Sequence, residues 1–316
     1  MPLPQDERIV ALANDLLQEF DQLFGLHPGF RPAHAKGLML AGTFTPAKGA
    51  SALTKAPHIT RSLTPVTARF SNSTGIPTIP DSVPDANPRG FAVRFNLAEH
   101  VHTDIVSHST DGFPTRDGRQ FLEFLKAVAA SGPDVPSPKP VEVFLGSHPA
   151  ALAFVQAPKP FPSSLARDTY FGVTAFVFTN AAGEAKFGRY RIVPEHGNDS
   201  LTDEAVAAIG PDYHYGEIAE RVAKGPIRFK LLVQIAAPGD VEDDATVHWP
   251  ESRELFELGT IELTAVLPDS VAQQKHIIFD PIPRVDGIEA SADPLLELRA
   301  AIYLLSGRRR RAAPAE

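Results

Sequence analysis

Apolar residues recur at helical spacing near the start of the chain, at Ile9, Leu12, Leu16, Phe20 and Leu23. Asp6, Glu7, Asp15, Glu19 and Asp21 interrupt them. The pattern predicts an amphipathic opening helix over residues 6–23 and not a secretion-signal core, which tolerates no such charge. Between residues 36 and 110 the period changes, and the segments GLMLAGTFT, VTARFS and GFAVRFN alternate or run apolar over strand-like lengths. Helical patterning returns at 119–130 and 145–157. Strands over 172–180 and 185–193 follow, joined by Ala181–Glu184 as a β-hairpin. Then come a helix over 202–222 and strands over 226–236 and 257–266. A last helix covers 293–305, with Asp293 as N-cap, Pro294 at its first position and Gly307 as its end. Short strands with helices inserted between them predict an α+β protein built on an antiparallel barrel. The Pro-rich stretch 132–140 reads as a connector inside one domain over 1–316. Within that domain 1–30 forms the helix and lead-in, and 307–316 forms a frayed tail.

Composition narrows the chemistry. The chain has 316 residues, 43% of them apolar, so a sizeable core can be buried. Its formal net charge of -8 argues against broad binding to nucleic acid or an anionic membrane, both of which reward a basic surface. The absence of cysteine excludes disulfides, thiolate–metal sites and a cysteine nucleophile. No apolar run approaches the roughly 18 residues that span a bilayer. A soluble, cytoplasmic protein is expected.

Three sets of residues suggest chemistry. His34 lies in the stretch Arg31-Pro32-Ala33-His34-Ala35-Lys36-Gly37. An imidazole with an unperturbed pKa of about 6.5 takes and returns protons near neutral pH; core and surface histidines share that composition. Arg299 and Tyr303 stand four apart on the last helix, which puts a guanidinium over a phenol. A tyrosine binds ferric iron as the phenolate, and a neighbouring cation favours that form. An aromatic packed beside a solvated arginine has the same spacing. Arg69, Arg89 and Arg94 alternate with apolar residues on strands. A buried arginine needs an anion, which either a carboxylated cofactor or an internal carboxylate supplies.

Taken in order, these stretches resemble the haem catalases over most of the chain. HAKG, GTF, LTPVTARFS, NPRGFAVRFN and HTDIVSHST look like that family's distal half. YFGVTAFVFTNAAGEAKFGRYR looks like its later hairpin, and DDATVHWP, ELGTIELT and FDPIPRVDGIEASADPLLELRAAIY look like the approach to its haem tyrosine. The resemblance is to a small catalase-related peroxidase. It implies an antiparallel eight-stranded β-barrel with inserted and flanking helices around a buried haem b (heme b, iron protoporphyrin IX). It implies His34 as distal base, Ser71 as the hydroxyl that orients it, Tyr303 as proximal iron ligand and Arg299 as the group that keeps it a phenolate. Arg31 and Arg69 match partners of haem propionates. Arg310 falls at the spacing of a third, though four consecutive arginines leave the register open. Phe121 falls where an aromatic packs on the distal haem face, Phe113 lines the pocket, and Ala33 replaces a usual valine.

One stretch departs from the family. Where catalases carry Gly-Asn-Asn-x-Pro, this chain has Ser107-His108-Ser109-Thr110-Asp111. His108 takes the place of the asparagine that assists peroxide, either as a second proton relay or as a residue facing away. The chain also stops soon after the tyrosine, without room for a C-terminal helical domain. The expected activity is therefore reduction of hydrogen peroxide or organic hydroperoxides by small organic reductants, with weak catalase activity, in a homodimer with no nucleic-acid or membrane partner. Competing expectations are a fatty-acid hydroperoxide isomerase, a haem carrier or sensor, and an apo barrel that binds an apolar ligand.

Overall fold

In the computed structural model, which describes residues 2–314, the opening pattern forms helix α1 (Glu7–Phe24). The Asp6 carboxylate caps it by accepting the Arg8 N–H. Its apolar stripe buries Ala13, Leu16, Leu17 and Phe20. The remaining helices are α2 (Pro57–Thr60), α3 (Gly118–Ala129), α4 (Pro140–Ser147), α5 (Pro149–Gln156), α6 (Asp203–Ala208), α7 (Tyr213–Lys224), α8 (Ser270–His276) and α9 (Pro294–Ala312). The strands are β1 (Gly37–Pro46), β2 (Thr64–Ser71), β3 (Gly90–Ala98), β4 (Val101–His108), β5 (Tyr170–Phe171), β6 (Phe176–Thr179), β7 (Ala185–Pro194), β8 (Ile227–Ile235), β9 (Leu255–Val266) and β10 (Ile288–Ala290). Among the described residues no helix is long and apolar enough to cross a membrane.

Every strand pairing is antiparallel. The order β1-β2-β3-β4-β5-β7-β8-β9 closes on itself through the β1–β9 and β7–β8 pairs, giving an eight-stranded barrel. β6 and β10 extend from β7 outside that ring. Closure removes the free edges that an open sheet would have to protect.

Aromatic side chains fill the barrel. Phe70 and Phe91 stack at 4.4 Å, and Phe229 and Tyr170 pack against them. A fully buried phenylalanine contributes up to about 3 kcal/mol, so this cluster stabilises the barrel strongly. It also decides where chemistry can happen. Phe70 on β2 pairs with Phe91 on β3, and both point inward. Alternation then turns Arg69, Ser71, Gly90, Ala92 and His108 to the outer face. Helices α1, α3 and α9 pack together through Leu16, Phe20, Leu125, Leu298 and Ala301.

Three expected boundaries move. The helix expected over 145–157 is two helices, because Pro149 disfavours helical backbone at His148 (φ -127°, ψ 83°). The one expected over 202–222 breaks between α6 and α7 at Gly210-Pro211. The last helix does not stop at Gly307, and residues 307–312 are no frayed tail; α9 continues to Ala312. Gly307 is a close-approach residue, since a Cβ there would lie 2.2 Å from Ile278 Cδ1. The following turn is held by the Arg309–Asp21 ion pair at 2.8 Å and by Arg310, which donates to Ser306 Oγ at 2.8 Å.

Candidate active site

His34 sits in the left-handed backbone region at φ 57°, uncommon for a residue with a side chain. Two bonds hold the turn: His34 N–H donates to the Ser73 carbonyl at 2.7 Å, and Ala35 N–H donates to that of Thr74 at 2.9 Å. They bring the ring onto the outer face of β2 and β3, where His34 Nδ1 lies 3.1 Å from Ser71 Oγ. Gly90 makes room for this pair. A Cβ at Gly90 would lie 2.4 Å from Ser71 Oγ and 2.9 Å from His34 Nδ1. The register runs Ser71–Gly90–His108 across three strands, so His108 shares the face from the far side of Gly90. The glycine carries no charge or nucleophile, so nothing in the sequence marks it as part of the site.

Both imidazoles are kept neutral. Burial, reinforced by the charges of Arg69 and Arg31, pushes His34 down to about 4. Burial, with His34, Arg299 and Lys159 adding to it, pushes His108 down to about 3. Yet neither side chain is sealed off, and the same holds for Arg31, Ala33, Phe121, Arg299, Ile302 and Tyr303. Groups surrounded by protein that keep accessible surface line an internal space. Arg299, on α9, lies close enough to both histidines for its charge to oppose their protonation.

The Asp293 side chain accepts the Leu295 N–H and Pro294 opens α9, as its sequence predicts. Two turns later Arg299 Nε and Nη2 both donate to Tyr303 Oη at 3.3 Å. The phenolic oxygen is thus an acceptor facing a fixed cation. Phe121 on α3 packs between Phe20 at 6.1 Å and Phe113 at 5.0 Å, in the cluster that also holds Ala33 and Ile302.

Arg31, Arg69 and Arg310 come together at one end of this space. Burial and mutual repulsion lower the proton affinity of Arg31; burial alone brings Arg69 to about 10. Burial, then Arg69 and Arg311, bring Arg310 to about 9. Among the described residues none of the three, nor Arg299, forms an ion pair, whereas Arg94 meets Asp104 at 2.8 Å and Arg191 meets Asp111 at 3.0 Å. Neutral acceptors hold the trio instead, many of them at the C-terminal end of α8. Arg31 donates to the carbonyls of Gln274 and Ile277, Arg69 to Gln274 Oε1 at 2.7 Å, and Arg310 to the Ile277 carbonyl at 2.8 Å. Arg310 Nε is buried without any partner. Among the described residues Arg89 and Arg189 are likewise buried without an ion pair; what sets the trio apart is that its cations lie close enough to oppose one another's charge, an arrangement that an anionic ligand carrying more than one charge would relieve. Of the four tail arginines, Arg310 is the buried one. Arg308 is exposed, Arg309 pairs with Asp21 and Arg311 donates to the His276 carbonyl.

A profile of the catalase family matches residues 28–315. The chain belongs to the catalase family. Among its relatives is the catalase-related peroxidase of Synechococcus elongatus, 32% identical, with the alignment covering 93% of this chain and 87% of the relative. That of Mycolicibacterium paratuberculosis is 35% identical over 89% of each. In fold this catalase-family chain is similar to catalase A from Saccharomyces cerevisiae, with a TM-score of 0.80 at 24% identity over 98% of the chain. A fungal catalase gives a TM-score of 0.79, also at 24% identity. The chain spans only 65% and 64% of those two catalases.

Proposed function

We propose that this catalase-family chain is a haem-dependent peroxidase reducing hydrogen peroxide or organic hydroperoxides with small organic donors. The observation that carries the reading is the unpaired arginine trio near a guanidinium-bound phenol, with a neutral imidazole within reach of their charges. A dicarboxylated planar cofactor fits that set of groups. Arg31, Arg69 and Arg310 would hold the two carboxylates of haem b and Tyr303 Oη would bind its iron, with Phe121 and His34 among the groups lining the rest of the site.

Each protein group then has a definite task. Arg299 gives the Tyr303 oxygen two donors and keeps a positive charge beside it. Ser71 orients His34 through Nδ1 and leaves Nε2 facing the substrate. His34, neutral above about pH 4, receives the hydroperoxide proton at Nε2 and returns it to the oxygen that leaves. Haem, when bound, supplies the redox-active iron. Over one cycle ROOH and two donor molecules AH give ROH, water and two donor radicals, each donor losing one electron and one proton.

An absorption spectrum of the purified protein before and after hydroperoxide, with and without a phenolic donor, tests the reading. A Soret band that changes with hydroperoxide and recovers faster with donor is expected. A protein without a Soret band, or one whose band ignores hydroperoxide, contradicts it.

A further inference from the structure

His108 stands where this chain departs most from the catalase pattern, and its surroundings fix more than its position. The Thr110 backbone N–H donates to His108 Nδ1 at 3.3 Å. A nitrogen that accepts from an amide cannot itself carry a proton, so the proton of the neutral ring lies on Nε2. No described residue accepts from that Nε2, and it is not among the sealed, partnerless nitrogens as those of His58 are. Alternation turns the ring to the same outer face as Ser71, with Gly90 between them. Strands stand about 4.8 Å apart, so His108 and Ser71 flank the His34 ring from either side of roughly a 10 Å span. Burial and the neighbouring charges of His34, Arg299 and Lys159 oppose a second proton on the ring.

We propose that His108 is a catalytic residue held as a permanent hydrogen-bond donor, and that it makes the pocket select singly substituted hydroperoxides, R–O–O–H, over hydrogen peroxide. This rests on the peroxidase reading above. His34 Nε2 offers one acceptor, and His108 Nε2–H offers one donor. An alkyl hydroperoxide has one O–H to give and oxygen lone pairs to receive, so it satisfies both. Hydrogen peroxide brings a second O–H that finds no acceptor here. An asparagine amide would present a carbonyl as well as an N–H. An O–H left unpaired in a buried site weakens binding about tenfold or more. His108 keeps its proton throughout; it orients the oxygen that receives the proton from His34. The same shortage of acceptors disfavours oxidation of a second hydrogen peroxide to dioxygen.

Two variants, His108→Leu and His108→Asn, read this in two ways. The first reading is the C–O stretch of the ferrous carbonyl complex, which falls in frequency when a distal donor faces the ligand. It should be lower in the native protein than in His108→Leu. The second is selectivity. The ratio of kcat/KM for cumene hydroperoxide to that for hydrogen peroxide should drop about tenfold in His108→Asn, and dioxygen released per donor oxidised should rise about as much. A carbonyl stretch that does not move in His108→Leu, or unchanged ratios in His108→Asn at full haem content, overturns the proposal while leaving the peroxidase reading intact. A native protein that takes up no haem overturns both.

Discussion

Replacing Arg310 with glutamine should strengthen the haem-free protein and weaken its hold on haem. Arg310 is 3% exposed, and among the described residues its side chain has two partners, Ser306 Oγ and the Ile277 carbonyl, each at 2.8 Å. Burial, then Arg69 and Arg311, bring its proton affinity from the ordinary arginine value down to about 9. At ~1.36 kcal/mol for each factor of ten, the charged side chain costs the folded, haem-free protein up to about 5 kcal/mol. The sign is that of a base whose affinity falls on folding. The cost is present in full at every pH below about 9 and fades only as pH rises through that value. Glutamine removes the charge and can keep one of the two bonds; losing the other returns roughly 1.5–3 kcal/mol. The net expectation is about 2 kcal/mol of added stability. Haem affinity should fall at least tenfold, because a desolvated charge pair with a propionate is lost; such pairs are worth about 2–5 kcal/mol. Urea denaturation of haem-free protein measures the first quantity and haem titration by Soret absorbance the second. Arg309→Gln is the control, since Arg309 pairs with Asp21 at 2.8 Å; it should leave haem affinity alone and cost about 1 kcal/mol or less. A haem-free Arg310→Gln protein that is weaker than native, with haem affinity unchanged, would refute the argument.

Other consequences follow from the same geometry. His34→Ala should retain haem while slowing hydroperoxide cleavage about 100-fold or more in stopped flow, the scale of general acid–base catalysis. Since burial brings His34 down to about 4, the native cleavage rate should be flat from pH 8 to 5 and fall only as pH drops through 4; a midpoint near 6.5 would show that the base is another group. Gly90→Ala should slow cleavage without loss of haem, because its Cβ would lie 2.4 Å from Ser71 Oγ and displace the hydroxyl from His34; native kinetics would break the link. His58 is buried with both ring nitrogens partnerless, and burial takes it to about 3. Its neutral form supports the fold fully above about pH 6.5, and that support is lost as pH falls towards 3. His58→Phe should therefore move the acid-unfolding midpoint to lower pH, followed by far-UV circular dichroism.

Much of this was legible in the chain because side-chain periodicity reports burial directly. Alternation over β2 and β3 put Phe70 and Phe91 on one face and Ser71 on the other, and the four-residue step from Arg299 to Tyr303 set the guanidinium on the phenol. Asp293 and Pro294 marked the start of the last helix for the same local reasons that they cap it. Features made by backbone, or by missing side chains, were not legible. Gly307 signals a helix end by composition, yet it sits in mid-helix because Ile278 needs the space. Gly90 gives no chemical hint that it seats His34 against Ser71. The carbonyls of Gln274 and Ile277, which gather three arginines, belong to residues with no characteristic signature. Among Arg308–Arg311 only tertiary packing distinguishes the one turned inward.

The central claim concerns a Tyr303 oxygen and an iron on one side of the pocket with His34 on the other. Electron paramagnetic resonance of the ferric protein, native and Tyr303→Phe at matched haem exposure, tests it most directly. The native protein should give a rhombically split high-spin signal characteristic of a phenolate ligand, and the variant should lose both that signal and most of its haem. Equal loading with superimposable spectra would mean that another residue holds the iron.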